Sequence, residues 1–117
     1  MLGAVTRKLN RDSGERKALF RDLVSALITH GRIETTVAKA KETKKITDSL
    51  VTLALRGDVH ARRQAMRLLT DPAVVKRLFT EVAPKYQGAG RGGYTRVIRT
   101  RTRRGDASDM AIVELVS

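Results

Sequence analysis

Between Lys85 and Arg104 the chain carries seven basic residues and no acidic one: Lys85, Arg91, Arg96, Arg99, Arg101, Arg103 and Arg104. A double glycine and an aromatic sit inside the run, at Arg91-Gly92-Gly93-Tyr94-Thr95-Arg96. The β-branched Thr95, Val97 and Ile98 make the segment prone to form a strand. Arginines on a strand fed by a glycine-rich loop form a rigid comb of cations. Unpaired like charges repel, so such a comb is useful against a polyanion and costly almost anywhere else.

The rest of the charge follows a pattern. Residues 1–45 hold 11 basic and 5 acidic groups, residues 46–84 hold 6 and 4, and residues 105–117 hold none and 3. Two basic blocks therefore flank a nearly balanced middle, and the whole chain of 117 residues carries a formal charge of +12. Its isoelectric point is about 11.1. Nucleic acid is the leading partner class and an anionic membrane surface the runner-up. Lysine and arginine that neutralise phosphates release condensed counterions, which makes such binding tight and salt-dependent.

Other function classes fall away. The chain has no cysteine, which excludes disulfides and thiolate metal sites. His30 and His60 are its only histidines, too few for a zinc or iron centre. No serine, histidine and carboxylate set stands out, and no carboxylate pair lies among apolar neighbours that would raise a pKa. The expectation is a protein that is not an enzyme and holds no cofactor, metal or small-molecule substrate. No apolar run approaches the roughly 20 residues that span a bilayer, so no membrane partner is expected. The apolar start, Met1 to Val5, is far shorter than a signal-peptide core, and a soluble cytoplasmic protein is expected. Aromatics are Phe20, Phe79, Tyr86 and Tyr94, which argues against a module that stacks bases on several exposed rings.

The pattern predicts one α+β domain over 13–117, preceded by a basic arm over 1–12. Asp12 or Ser13 can cap a first helix, with Glu15 completing a capping box. Its apolar stripe holds Leu19, Leu23, Ala26 and Leu27, widened by Phe20, Val24 and Ile28, while Arg16, Lys17 and Arg21 lie mostly off it. Gly31 ends it. Arg32 to Thr35 is a short strand. Thr35 or Thr36 caps a second helix that runs to about Arg56 and buries Ile46, Leu50, Leu53 and Ala54. Asp58 caps a third helix, packed through Val59, Met66, Leu68 and Leu69. Asp71-Pro72 starts a fourth, which ends before Pro84. Tyr94–Thr102 and Met110–Val116 are antiparallel strands across a polar turn. The order is helix, strand, three helices, two strands: a two-layer domain with a small mixed sheet packed on helices.

Several motifs have an ordinary reading beside the functional one. Lys39, Lys41, Lys44 and Lys45 form either a phosphate-contacting cluster or a solvated helix face. The loop Gly88 to Gly93 either brings backbone amides to a phosphate or simply links helix to strand. It lacks the lysine-serine or lysine-threonine ending of a P-loop. Arg104-Gly105-Asp106 is a tight turn rather than an integrin motif. The helices over 58–83 admit a DNA-binding helix-turn-helix, although the fourth has only Lys76 and Arg77 as basic residues. An RNA-processing role would need catalytic groups that the chain does not display.

Several stretches taken together resemble a known family: Arg7-Lys8-Leu9-Asn10-Arg11, His30-Gly31-Arg32-Ile33-Glu34-Thr35-Thr36 and Ala38-Lys39-Ala40-Lys41-Glu42, followed by Ala83-Pro84-Lys85-Tyr86, Gly92-Gly93-Tyr94-Thr95-Arg96 and Arg103-Arg104-Gly105-Asp106. In this order they are similar to the bacterial large-subunit ribosomal protein L17 family, and the likeness covers residues 7 to 116. The uncharged Met1–Thr6 departs from that family's usual basic start, and Glu15 stands where a non-acidic residue is common.

The resemblance implies a structural ribosomal protein that binds large-subunit rRNA near the peptide exit tunnel, beside neighbouring large-subunit proteins. The expected rRNA contacts are Arg7, Lys8, Asn10 and Arg11 in the arm and Arg16, Lys17 and Arg21 on the first helix. Arg32, Thr35, Thr36 and Lys39 follow, then Arg91, Tyr94, Thr95, Arg96, Arg99, Arg101, Arg103 and Arg104 around the comb.

Overall fold

The computed structural model describes residues 13–88 and 93–116. Helix α1 (Ser13–His30) leads into strand β1 (Arg32–Thr36), then helices α2 (Val37–Arg56), α3 (Val59–Leu69) and α4 (Pro72–Arg77), and finally strands β2 (Thr95–Thr102) and β3 (Asp109–Leu115). Helix, strand, three helices and two strands thus follow in the expected order. The basic arm and its Asp12 cap lie outside the described residues.

Each junction has a local cause. Gly31 adopts φ +84° and donates its N–H to Leu27 O at 2.8 Å, which turns the chain out of α1. The Thr36 hydroxyl accepts from Lys39 N at 3.4 Å at the start of α2, and Gly57, at φ +70°, closes that helix. Asp58 accepts from Ala61 N at 2.7 Å and Asp71 from Ala73 N at 2.9 Å, capping α3 and α4. Beyond Arg77 the helical path does not stop at Pro84 as expected. It widens into a π-helical segment, Leu78–Val82, and tightens into a 3-10 turn, Ala83–Tyr86. Pro84 lies in the first turn of that 3-10 segment, where its missing N–H has no partner to lose.

The sheet is antiparallel throughout, in the order β1-β3-β2, where a mixed one was expected. The route from β1 to β2 through the helices is long enough to enter the sheet in either direction, and β3 lies between the two. Burial alternates along β1 and the inner half of β2, as a sheet with one covered face requires.

Two apolar clusters hold the fold. Phe20, Val24 and Ile28 of α1 meet Ile46, Leu50 and Val51 of α2, together with Ala61, Ala65 and Leu69 of α3 and the helical turns that follow. Leu27 and Ala40 meet Ala111 and Val113 of β3, flanked by Ile33 and Val97. Helices α1 and α2 supply both clusters and so bind the sheet to the other helices. The inner stripe of α1 is Phe20, Val24, Leu27 and Ile28; Leu19 and Leu23 are half-buried at its margin. Full burial of each large apolar side chain contributes about 1.5–3 kcal/mol relative to exposure. On α3 Ala61, Ala65 and Leu69 are buried and Met66 and Leu68 pack at the margin, as expected of Leu69, Met66 and Leu68, while Val59 is 66% exposed.

Candidate nucleic-acid interface

The arginine run forms one arm of the β2–β3 hairpin. Thr95 pairs with Leu115, Val97 with Val113 and Arg99 with Ala111, after which the register slips before Thr102 meets Asp109. The slip is a bulge that sets Thr100 and Arg101 together opposite Met110. From Ile98 to Thr102 every residue of β2 is exposed, whereas Met110 and Ala111, which face it on β3, are buried.

A polar lock fixes the hairpin's base. The Lys44 ammonium donates to Asp48 Oδ2 at 2.8 Å and to Thr95 O at 3.0 Å, while the Thr95 hydroxyl donates to Asp48 Oδ1 at 2.9 Å. Beside it the Tyr86 and Tyr94 rings lie 5.1 Å apart at 59°. Val116 N–H donates to Tyr94 O, and the Tyr86 hydroxyl donates to Val116 O. Burial pushes the Tyr86 phenol up from its ordinary pKa.

Electrostatically the comb differs from its sequence. Arg96 is paired with Glu114, Arg101 with Glu34 at 3.3 Å, and Arg103 with Asp106 at 2.6 Å. Glu34 is held below the usual carboxylate range by the Thr100 hydroxyl and then by Arg101. Asp106 is held far below it by Arg103 and by the Ser108 N–H, and Arg103 is raised in turn. Among the described residues, Arg99 and Arg104 have no carboxylate partner. The turn over Arg104–Asp106 serves the hairpin, closed by Arg103 N–H donating to Ser108 O at 2.7 Å.

The expected contact residues divide accordingly. Arg7, Lys8, Asn10, Arg11 and Arg91 lie outside the described residues. Arg16 and Arg21 are half-buried and Lys17 is exposed along α1. Arg32 is exposed on β1, in register with Glu114. Three residues turn inward instead: Thr35, Tyr94 and Thr95 are 9%, 4% and 3% exposed. Strand alternation places Thr35 opposite Ala111 on the covered face, and Thr95 is spent in the polar lock. They hold the strands rather than present groups to solvent. Thr36 is occupied as a helix cap, and Lys39 behind it is half-buried. Of the other lysines, Lys44 is committed to the lock and Lys45 lies 3.7 Å from the buried Glu42. Helix α1 packs on β1 and β3, and β2 packs on β3 and α2, so α1 and β2 flank β3 without being neighbouring elements of the sheet.

Sequence reasoning missed Asp48, Glu34 and Glu114. Asp48 and Thr95 lie 47 positions apart, and Glu34 and Arg101 lie 67 apart, separations at which periodicity carries no signal. Arg77, which the sequence shows only as one of two basic residues on the fourth helix, donates its Nε to Ile28 O at 3.1 Å and so satisfies a carbonyl near the end of α1. It lines a cleft of about 290 Å³ with His30, Lys85 and Tyr86.

An α+β scaffold with a two-sided arginine hairpin locked to its second helix is, as a class, a basic protein built to present guanidinium groups at fixed positions. The family model for ribosomal protein L17 matches residues 19–116, and the chain belongs to that family. A protein of Symbiobacterium thermophilum named large ribosomal subunit protein bL17 is 57% identical over 110 residues, covering 94% of this chain and 96% of its own. Proteins of the same name from Clostridium botulinum and Clostridium acetobutylicum are 52% and 51% identical over the same shares. This is a family of structural ribosomal proteins, and the chain is not an enzyme. Among the described residues no helix is long and apolar enough to cross a membrane.

Proposed function

We propose that this protein is a structural constituent of the bacterial large ribosomal subunit, residing in the cytoplasmic ribosome, where it clamps separate segments of the large-subunit rRNA near the peptide exit tunnel. The observation that carries the reading is the 57% identity, over 94% of the chain, to a protein named for that subunit. The basic surfaces support it. Helix α1 and the hairpin are packed into one core, α1 on β1 and β3 and β2 on α2, so one body carries the cationic groups of both. Guanidinium groups bridge phosphate oxygens, two at once where geometry allows. With two tyrosines, both buried, as the aromatics beside the hairpin, recognition is of folded RNA shape more than of stacked bases. Residues 1–12 act as a basic arm on a single domain, and adjoining large-subunit proteins cover part of the remaining surface.

Cosedimentation of the tagged full-length chain through a sucrose gradient, after a high-salt wash, tests the proposal. Retention with the large subunit is the expected result. Release into the light fractions, or retention on DNA alone, overturns it.

A further inference from the structure

The hairpin arginines fall into two chemical kinds. Arg96 and Arg101 are closed on carboxylates from other strands, Glu114 of β3 and Glu34 of β1. Arg99 and Arg104 have no such partner among the described residues. The carboxylates are firmly set. One Glu34 oxygen accepts from the Thr100 hydroxyl at 2.8 Å and the other from Arg101 at 3.3 Å, two neighbours that the bulge brings to the same anion. The Glu114 side chain is 17% exposed and lies between Arg96 on one neighbouring strand and Arg32 on the other.

A guanidinium that already holds a carboxylate forms a nearly neutral pair, which displaces fewer of the cations condensed on an RNA strand, and the fixed negative charge beside it repels an approaching phosphate. The pairing does not exhaust the arginine, however. A guanidinium has five N–H donors, and Arg96 uses its Nε on Glu114, which leaves its terminal nitrogens for a second acceptor in one fixed orientation. Holding that orientation beforehand lowers the entropy lost when a matching phosphate arrives.

We propose that Glu34 and Glu114 determine specificity for RNA: they are built-in counter-anions that hold Arg96 and Arg101 back from indiscriminate phosphate contact and orient them for a matching site. A random RNA strand then meets chiefly Arg99 and Arg104, and only folded RNA with phosphates at the right positions engages all four. This deepens the rRNA reading and rests on it for the identity of the matching site.

The test is binding of the full chain to random-sequence single-stranded RNA across a salt series. The Glu34→Gln and Glu114→Gln variants are each expected to steepen the dependence of log affinity on log salt by about 0.7, the contribution of one further phosphate on a single strand. Arg99→Gln is expected to flatten it by a similar amount, whereas Arg96→Gln leaves it nearly unchanged. Ion pairs that serve only folding would alter melting temperature and leave the salt slope alone. Parental slopes in both glutamine variants, or an equal loss of slope in Arg96→Gln and Arg99→Gln, overturn the proposal. The arginine comparison stands even if a glutamine variant folds poorly. Failure of the rRNA reading looks different: the slopes shift as described, but the parent chain does not stay on the large subunit after the wash.

Discussion

Arg96 on β2 and Glu114 on β3 stand opposite each other in the strand register and are joined as an ion pair. Glu114 also faces Arg32 across β3's other edge. The open sheet face that carries Arg96 and Arg32 therefore contains its own negative charge, in a position that sheet geometry imposes. Repulsion along the comb is thus relieved in part within the protein, at Arg96, Arg101 and Arg103.

The unpaired arginines should matter most for assembly. Arg99→Gln combined with Arg104→Gln is expected to lower affinity for the large subunit roughly tenfold or more, through the loss of two charge-assisted contacts. Quantifying occupancy of salt-washed subunits by mass spectrometry measures this. Parental occupancy would place the rRNA contact elsewhere on the molecule.

The polar lock should support the hairpin. Asp48→Ala leaves the half-buried Lys44 ammonium without its anion and the Thr95 hydroxyl without its acceptor. The expected loss is about 2 kcal/mol of folding stability, as for hydrogen bonds to charged groups. Urea denaturation reads the loss, and hydrogen exchange should show the Thr95–Val97 amides opening more readily than those of α3. Uniform opening across both elements would contradict a local lock.

Acid should weaken the fold. Glu34, Asp58 and Asp106 all have folded pKa values below their ordinary ones: Glu34 from the Thr100 hydroxyl and Arg101, Asp58 from the Ala61 N–H at the start of α3, and Asp106 from Arg103. A lowered carboxylate pKa stabilises the folded state above the unfolded pKa, near 4, and that stabilisation fades as pH falls through the folded value. The melting temperature should hold roughly level from pH 7 to about 5 and then decline. Glu34→Gln should lessen the decline. A melting temperature that stays flat into strong acid would show that these pairings contribute nothing to stability.

The junction of the helices should tolerate little loss of volume. Phe20 is 1% exposed and packs in the cluster shared by α1, α2 and α3. Phe20→Ala is expected to cost about 3–5 kcal/mol, enough to unfold much of a marginal domain. Differential scanning calorimetry reads the change, and a shift no larger than that of an exposed substitution such as Val59→Ala would place the core elsewhere.

Local chemistry alone determined much of this protein. Gly31 and Gly57 as helix ends, Asp58 and Asp71-Pro72 as helix starts, and the β-branched Thr95, Val97 and Ile98 as a strand all act within a few residues, where backbone geometry and side-chain shape are written directly into the chain. Element order and the basic character of the hairpin follow from those signals. The continuation past Pro84 was hidden because a proline in the first turn of a 3-10 segment breaks nothing. Tertiary structure alone decided the antiparallel sheet, the inward turn of Thr35, Tyr94 and Thr95, and above all which arginines keep their charge unshared. Coulomb attraction and hydrogen bonding depend on distance in space, and Glu34 comes within reach of Arg101, 67 positions further on, only once the helices between them have folded and β3 has paired with both β1 and β2.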